Sequence, residues 1–176
     1  MAYECNGTEF ISMYGDITEI DVDGIVIASS PDLSMDAGIA CKIRDTGGPS
    51  IEEDVDKHKG ASPGSVITTH CGTLEASHLF HCVILDEDKT ADPDILRSCV
   101  RDMFEKAREL GATTLALPAL GSAFKGLSPK MSTDIIVSEA KAMVEQYTGA
   151  FKKIYFVVCD PTPYRYYKKA LKKHCT

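Results

Sequence analysis

The segment Gly121-Ser122-Ala123-Phe124-Lys125-Gly126 follows an apolar run, Thr113 to Leu117, that ends at Pro118. It precedes Ser128-Pro129, the opening of an amphipathic stretch. Small residues joining a strand to a helix let backbone N–H groups approach a phosphate closely, and a helix N-terminus adds partial positive charge. The segment is not a P-loop, because Leu127-Ser128 stands where Lys-Ser/Thr is needed, and it is not GxGxxG. Alone, it is a weak signal for a phosphate cradle and reads more readily as an ordinary loop. A second connection, Ala37-Gly38 into Ile39-Ala40, has the same small-residue character. Two such loops could clasp a diphosphate from both sides. Asp16, just beyond the first strand-like segment, could accept a hydrogen bond from an exocyclic amine. Together these residues suggest a nucleotide-like ligand.

Other reactive types are less organised. His81 lies in an apolar strand-like run, where a histidine is either a satisfied core residue or an acid–base group. Cys41 falls in the first turn of a short helix beside the second loop; such a position lowers a thiol pKa, but simple packing is the favoured reading. His70-Cys71 has no second pair at ligand spacing, so no metal is expected. No Gly-x-Ser-x-Gly elbow occurs. No cofactor is expected.

The elements that must position these residues alternate in type. Glu9 to Tyr14, Gly24 to Ala28, Ser65 to Thr69, Leu79 to Leu85, Thr113 to Leu117 and Ile154 to Val158 read as strands. Gly38 to Arg44 reads as a short helix. Asp92-Pro93, Ser128-Pro129 and Asp160-Pro161 each open a longer amphipathic one. The pattern predicts a three-layer α/β/α sandwich around a mixed, largely parallel sheet, with ligands bound outside the carboxyl ends of the strands.

The 176 residues suit one domain spanning 1–176, and no repeat or linker interrupts them. The net charge of -7 argues against nucleic acid or an anionic membrane surface as the main partner. Acidic side chains concentrate in the first third, and residues 161–176 hold five basic ones and no acid. The seven irregularly spaced cysteines are expected to be free thiols in a reducing cytosol, which with the lack of a leader or membrane span predicts a cytoplasmic protein. Oligomeric state is not legible.

Several segments, in order, resemble the macrodomain family: Gly-Asp-Ile-Thr (15–18), Ala-Ser-Ser-Pro-Asp-Leu (28–33), Ala-Gly-Ile-Ala (37–40), Gly-Gly (47–48), Phe-His-Cys-Val (80–83) and Leu-Pro-Ala-Leu-Gly-Ser-Ala-Phe-Lys-Gly (117–126). The resemblance spans roughly residues 8–172. It implies an ADP-ribose pocket, with ADP-ribose or an ADP-ribosylated protein as partner. Asp16 matches the acid that holds the adenine amino group, with Ile17 as the backbone contact beside it. Ala37, Gly38, Ile39 and Ala40 match the first phosphate-facing loop. Gly121, Ser122, Ala123, Phe124 and Lys125 match the second, Phe124 lining the distal ribose. Cys159 falls where an aromatic residue often borders adenine, and His81 matches a histidine often seen in the family.

The departures concern catalysis. The family's Asn-Ala-Ala-Asn is Ile27-Ala28-Ser29-Ser30 here, so Ser30 stands at the distal-ribose position. The family's Gly-Gly-Gly is Asp36-Ala37-Gly38. Asp36 could face solvent, contact the distal ribose or act as a base, or repel a diphosphate and weaken binding. Met35 to Ala40 looks like a branch that removes ADP-ribose through a lysine nucleophile, but Lys89 is several residues out of register for that role. The leading expectation is an ADP-ribose-binding module. A hydrolase of ADP-ribosyl esters, with Ser30, Asp36 or His81 assisting, is the second. A degenerate interaction scaffold is the third.

Overall fold

The structure is a computed structural model describing residues 1–176. Seven strands form one mixed sheet: β1 (Ala2–Cys5), β2 (Thr8–Tyr14), β3 (Gly24–Ser29), β4 (Val66–Thr69), β5 (His78–Val83), β6 (Thr114–Leu117) and β7 (Lys153–Val158), in the order β1-β2-β7-β6-β3-β5-β4. The two edge pairs, β1 with β2 and β4 with β5, are antiparallel, and every inner pairing is parallel. A strand buried on both faces carries apolar side chains at both parities. In β3, Val26 packs on one face while Ile25 and Ile27 pack on the other. In β7, Ile154, Phe156 and Val158 oppose Val157 in the same way.

Five helices cover the sheet. The first face carries α1 (Gly38–Gly47) and α2 (Ser50–Val55), which bury Ile43, Ile51 and Val55. The other carries α3 (Pro93–Glu109), α4 (Pro129–Gln146) and α5 (Pro161–His174), which bury Leu96, Phe104, Ile136 and Tyr167. Each such aliphatic or aromatic side chain contributes ~1.5–3 kcal/mol on burial.

The three long helices start where the sequence predicts. Asp92 accepts from Asp94 N and Ile95 N at 2.8 and 3.0 Å, Ser128 from Met131 N at 3.1 Å, and Asp160 from Thr162 N at 2.8 Å. Each cap is followed by proline, whose missing N–H has no intrahelical partner there anyway. Helix α1 differs: Ala37 stands at its cap position and supplies no side-chain bond.

The expectation of seven free thiols is corrected. Cys5, at the end of β1, is bridged to Cys175, just beyond α5, with Cα atoms 5.8 Å apart. The other five cysteines are free. Pairing across 170 positions leaves no local spacing signal. No helix is long and apolar enough to cross a membrane.

Candidate functional site

A cleft of about 350 Å³ opens at the carboxyl ends of the inner strands. Ile27 and Ala28 of β3 form its floor, Ala37 to Ala40 one wall, and Pro118 to Gly121 with Ala123 and Phe124 the other. Nine of its twelve lining residues are hydrophobic, so its polarity must come from the backbone.

The backbone provides it. The amides of Gly38, Ile39 and Ala40 have no acceptor within the chain, as the first turn of an uncapped helix requires. On the opposite wall, Ser122 N and Phe124 N are occupied in turn bonds to Ala119 O and Gly121 O, each 3.1 Å. Gly121 N, Ala123 N and Lys125 N carry no such bond. Five of these residues, Gly38, Ile39, Ala40, Gly121 and Ala123, line the one apolar slot. That is a place for an oxyanion. At the N-terminus of α4, Ser128 Oγ already occupies Met131 N.

The loop shapes follow from their small residues. Gly38 has φ +59°, a left-handed value that costs a residue bearing Cβ. Gly126, at φ +95°, closes the other loop so tightly that a Cβ would stand 2.0 Å from Ala91 O. Ala37 stands where the family has glycine, but at φ −142° and ψ 156° it is extended backbone open to any residue.

Beyond the cleft, at the end of β2, Asp16 caps the short 3-10 turn Ile17–Glu19. Its Oδ1 accepts from Thr18 N at 3.0 Å and Thr18 Oγ1 at 2.7 Å. Its Oδ2 meets Lys42 Nζ, from α1. Burial pushes the Asp16 carboxyl up, but the bonds from Lys42 and Thr18 outweigh it and hold the pKa below the usual carboxylate value. Asp16 is therefore an ionised acceptor at neutral pH. Ile17 is buried in the core, which leaves only its backbone for a ligand. Cys159 is exposed, immediately beyond β7, and offers no stacking ring.

The three residues expected to assist catalysis lie outside the cleft lining. Ser30 is buried; its hydroxyl donates to Asp32 Oδ1 at 2.6 Å and accepts from Lys89 Nζ at 3.0 Å. These groups line a separate hollow of about 420 Å³ with Lys59 and Glu87. Asp36 points to solvent, its side chain 78% exposed, and Arg44 Nη1 lies 2.9 Å from its Oδ1. His81 is sealed within β5, with Nε2 2.9 Å from Thr69 Oγ1 and Nδ1 without a partner. Burial, with His58 adding to it and Asp54 opposing, pushes the imidazole down to about 4. The ring is closed off from solvent, and His81 is not among the residues that line the cleft. Ser122 and Lys125 also lie outside the lining; Lys125 O accepts from Ala91 N at 2.7 Å and anchors the loop.

Sequence reasoning missed Lys42 and Arg44. Lys42 had a signal: it lies three and four positions after Ile39 and Gly38, on the same helical face one turn on. Arg44 had none that singled it out. No group of three or more His, Cys, Asp or Glu side chains is arranged to hold a metal.

The fold is thus an α/β/α sandwich with a carboxyl-edge cleft between two small-residue loops. The sequence profile of the Macro domain matches residues 26–136. A Sulfolobus acidocaldarius protein is 34% identical over 168 residues, covering 93% of this chain and 91% of that one. This chain belongs to the Macro domain family. Among solved structures, the Trypanosoma brucei macrodomain in complex with ADP-ribose superimposes with a TM-score of 0.84 at 23% identity, over 92% of this chain and 68% of that one. A variant of the Oceanobacillus iheyensis macrodomain with ADPR gives 0.87 at 20% identity, over 98% and 97%.

Proposed function

We propose that this protein binds ADP-ribose in the cleft, as the free nucleotide or as the modification on an ADP-ribosylated protein. One observation carries the reading: Gly38, Ile39, Ala40, Gly121 and Ala123, whose amides are unpaired, come from two loops and line one apolar slot. A diphosphate there gains several hydrogen bonds without displacing any existing one. Asp16 takes the adenine amino group, and Phe124, 38% exposed at the far end, packs on the distal ribose. The similar macrodomains solved with ADP-ribose support the same ligand.

Binding is favoured over ester hydrolysis because Ser30, Asp36 and His81 lie outside the cleft lining. Calorimetric titration with ADP-ribose tests the proposal. Saturable one-site binding is expected for the wild type. Ala123→Glu, which places a carboxylate against the diphosphate, is expected to weaken it by about a hundredfold, as like-charge contacts cost several kcal/mol. Heatless titration at millimolar ligand refutes the proposal and leaves the scaffold reading in its place.

A further inference from the structure

Helices α4 and α5 leave a groove of about 550 Å³ between them, on the side of the sheet opposite α1 and α2. Its apolar lining is Met131, Tyr166 and Ala170, and Met131 is 44% exposed there. Its polar lining is Lys130, Asp134, Lys169 and Lys173. The one carboxylate is already engaged. Lys173 Nζ lies 2.9 and 3.0 Å from the two Asp134 oxygens, and His174 Nε2 lies 2.9 Å from Oδ1. Neither Lys130 nor Lys169 makes an ion pair; Lys169 Nζ instead stands 5.6 Å from the ring centre of Tyr166. The groove thus joins surplus positive charge to exposed apolar surface.

Helix electrostatics do not account for that charge. The macrodipole favours cations in a last turn, which explains Lys172 and Lys173. Lys130 stands in the first turn of α4, where a cation is disfavoured, and Lys169 stands in the middle of α5. Elsewhere Lys42, Lys57, Lys59, Lys141 and Lys153 each meet a carboxylate, as a chain with 26 acidic and 19 basic residues readily allows. No acid occurs from 161 to 176 to do the same for α5.

The groove stands behind one wall of the cleft. Ser132, next to Met131, donates to Leu120 O at 2.7 Å, and Tyr167, next to Tyr166, donates to Pro118 O at 2.7 Å. Pro118 and Leu120 line the cleft, yet groove and cleft share no lining residue. An extended polyanion such as a nucleic acid would meet the net charge of -7 along its length. A short acidic segment needs only the cations the groove holds, and an apolar side chain on it covers Met131 and Tyr166.

We propose that the α4–α5 groove docks an acidic peptide segment of a partner protein, with Lys130 and Lys169 meeting its carboxylates and Met131 its apolar side chain. The proposal stands independently of the ADP-ribose reading of the cleft.

The test is fluorescence anisotropy of a labelled peptide of repeated Glu-Glu-Leu, titrated at low salt with the full chain. Saturable binding is expected, about tenfold or more tighter than for the same peptide with Gln in place of Glu. Lys130→Glu with Lys169→Glu is expected to weaken it by about tenfold or more, and Met131→Ser by about threefold. Lys106→Glu with Lys152→Glu changes the net charge equally outside the groove and is expected to leave binding near the wild-type value. All five side chains are exposed, and thermal melts verify folding. Absent binding, equal binding of the Gln peptide, or equal loss in the two double variants overturns the proposal. Tighter binding of single-stranded oligothymidylate overturns it in favour of a nucleic-acid surface. Self-association of the wild type that the groove variant abolishes overturns it in favour of a second copy of this chain.

Discussion

Arg44 Nη1 lies 2.9 Å from Asp36 Oδ1, and Ser34 Oγ donates to the other oxygen of the same carboxylate at 2.8 Å. Asp36 stands beside Ala37, which walls the cleft, so an uncompensated charge there would oppose an anionic ligand. The guanidinium of Arg44 offsets that charge from within α1. The acidic substitution in the loop is thus accommodated by a partner eight positions away.

Removing the partner should expose the repulsion. Arg44→Met is predicted to weaken ADP-ribose binding by about threefold at low salt, with the loss shrinking as salt screens the exposed charge. Asp36→Asn added to it should restore affinity. Equal affinity for wild type and Arg44→Met at low salt would show that Asp36 never acts on the cleft.

The buried imidazole makes stability depend on pH. His81 is neutral in the fold down to about 4, against an ordinary value of 6.5 in the unfolded chain. Between those values the unfolded chain binds the extra proton, so stability is fully present above pH 6.5 and drains away as the pH falls towards 4. The loss is of the order of 3 kcal/mol. His81→Leu forfeits the Thr69 bond yet should flatten the pH 7-to-4 decline in urea-melt stability, separating His81 from carboxylates such as Asp16 that titrate lower. An unchanged decline in the variant would place the acid sensitivity elsewhere.

The Cys5–Cys175 bridge closes nearly the whole chain into a loop. Constraining the unfolded state in this way typically contributes about 2–4 kcal/mol. Dithiothreitol is predicted to lower the thermal midpoint of the wild type and to leave Cys175→Ser unaffected, with ADP-ribose affinity the same in all samples. Equal melting of wild type with and without reductant would mean the bridge adds no stability.

The fold was legible wherever local chemistry decides structure. Asp-Pro and Ser-Pro mark three helix starts, and those side chains do cap Asp94, Met131 and Thr162 amides. Apolar runs mark the inner strands. Two elements escaped. Strand β1 is a four-residue edge with only Cys5 buried, and α2 is six residues soon after α1, too short for a helical period to declare itself. The site was legible in its loops, because small residues there serve the backbone directly. Side-chain orientation was not. Ser30 is turned away by Lys89, 59 positions distant, and Asp16 is met by Lys42 across an element boundary. Such pairings are set by tertiary packing, which no spacing rule encodes.

The central claim is that backbone amides of two loops hold the diphosphate. Amide chemical shifts followed through an ADP-ribose titration read those groups one by one. The largest shifts are predicted at Gly38, Ile39, Ala40, Gly121 and Ala123, with Ser122 and Phe124, already hydrogen-bonded, moving less. Shifts concentrated instead in the larger hollow between α4 and α5, around Lys130 and Lys169, or absent altogether, would contradict the account.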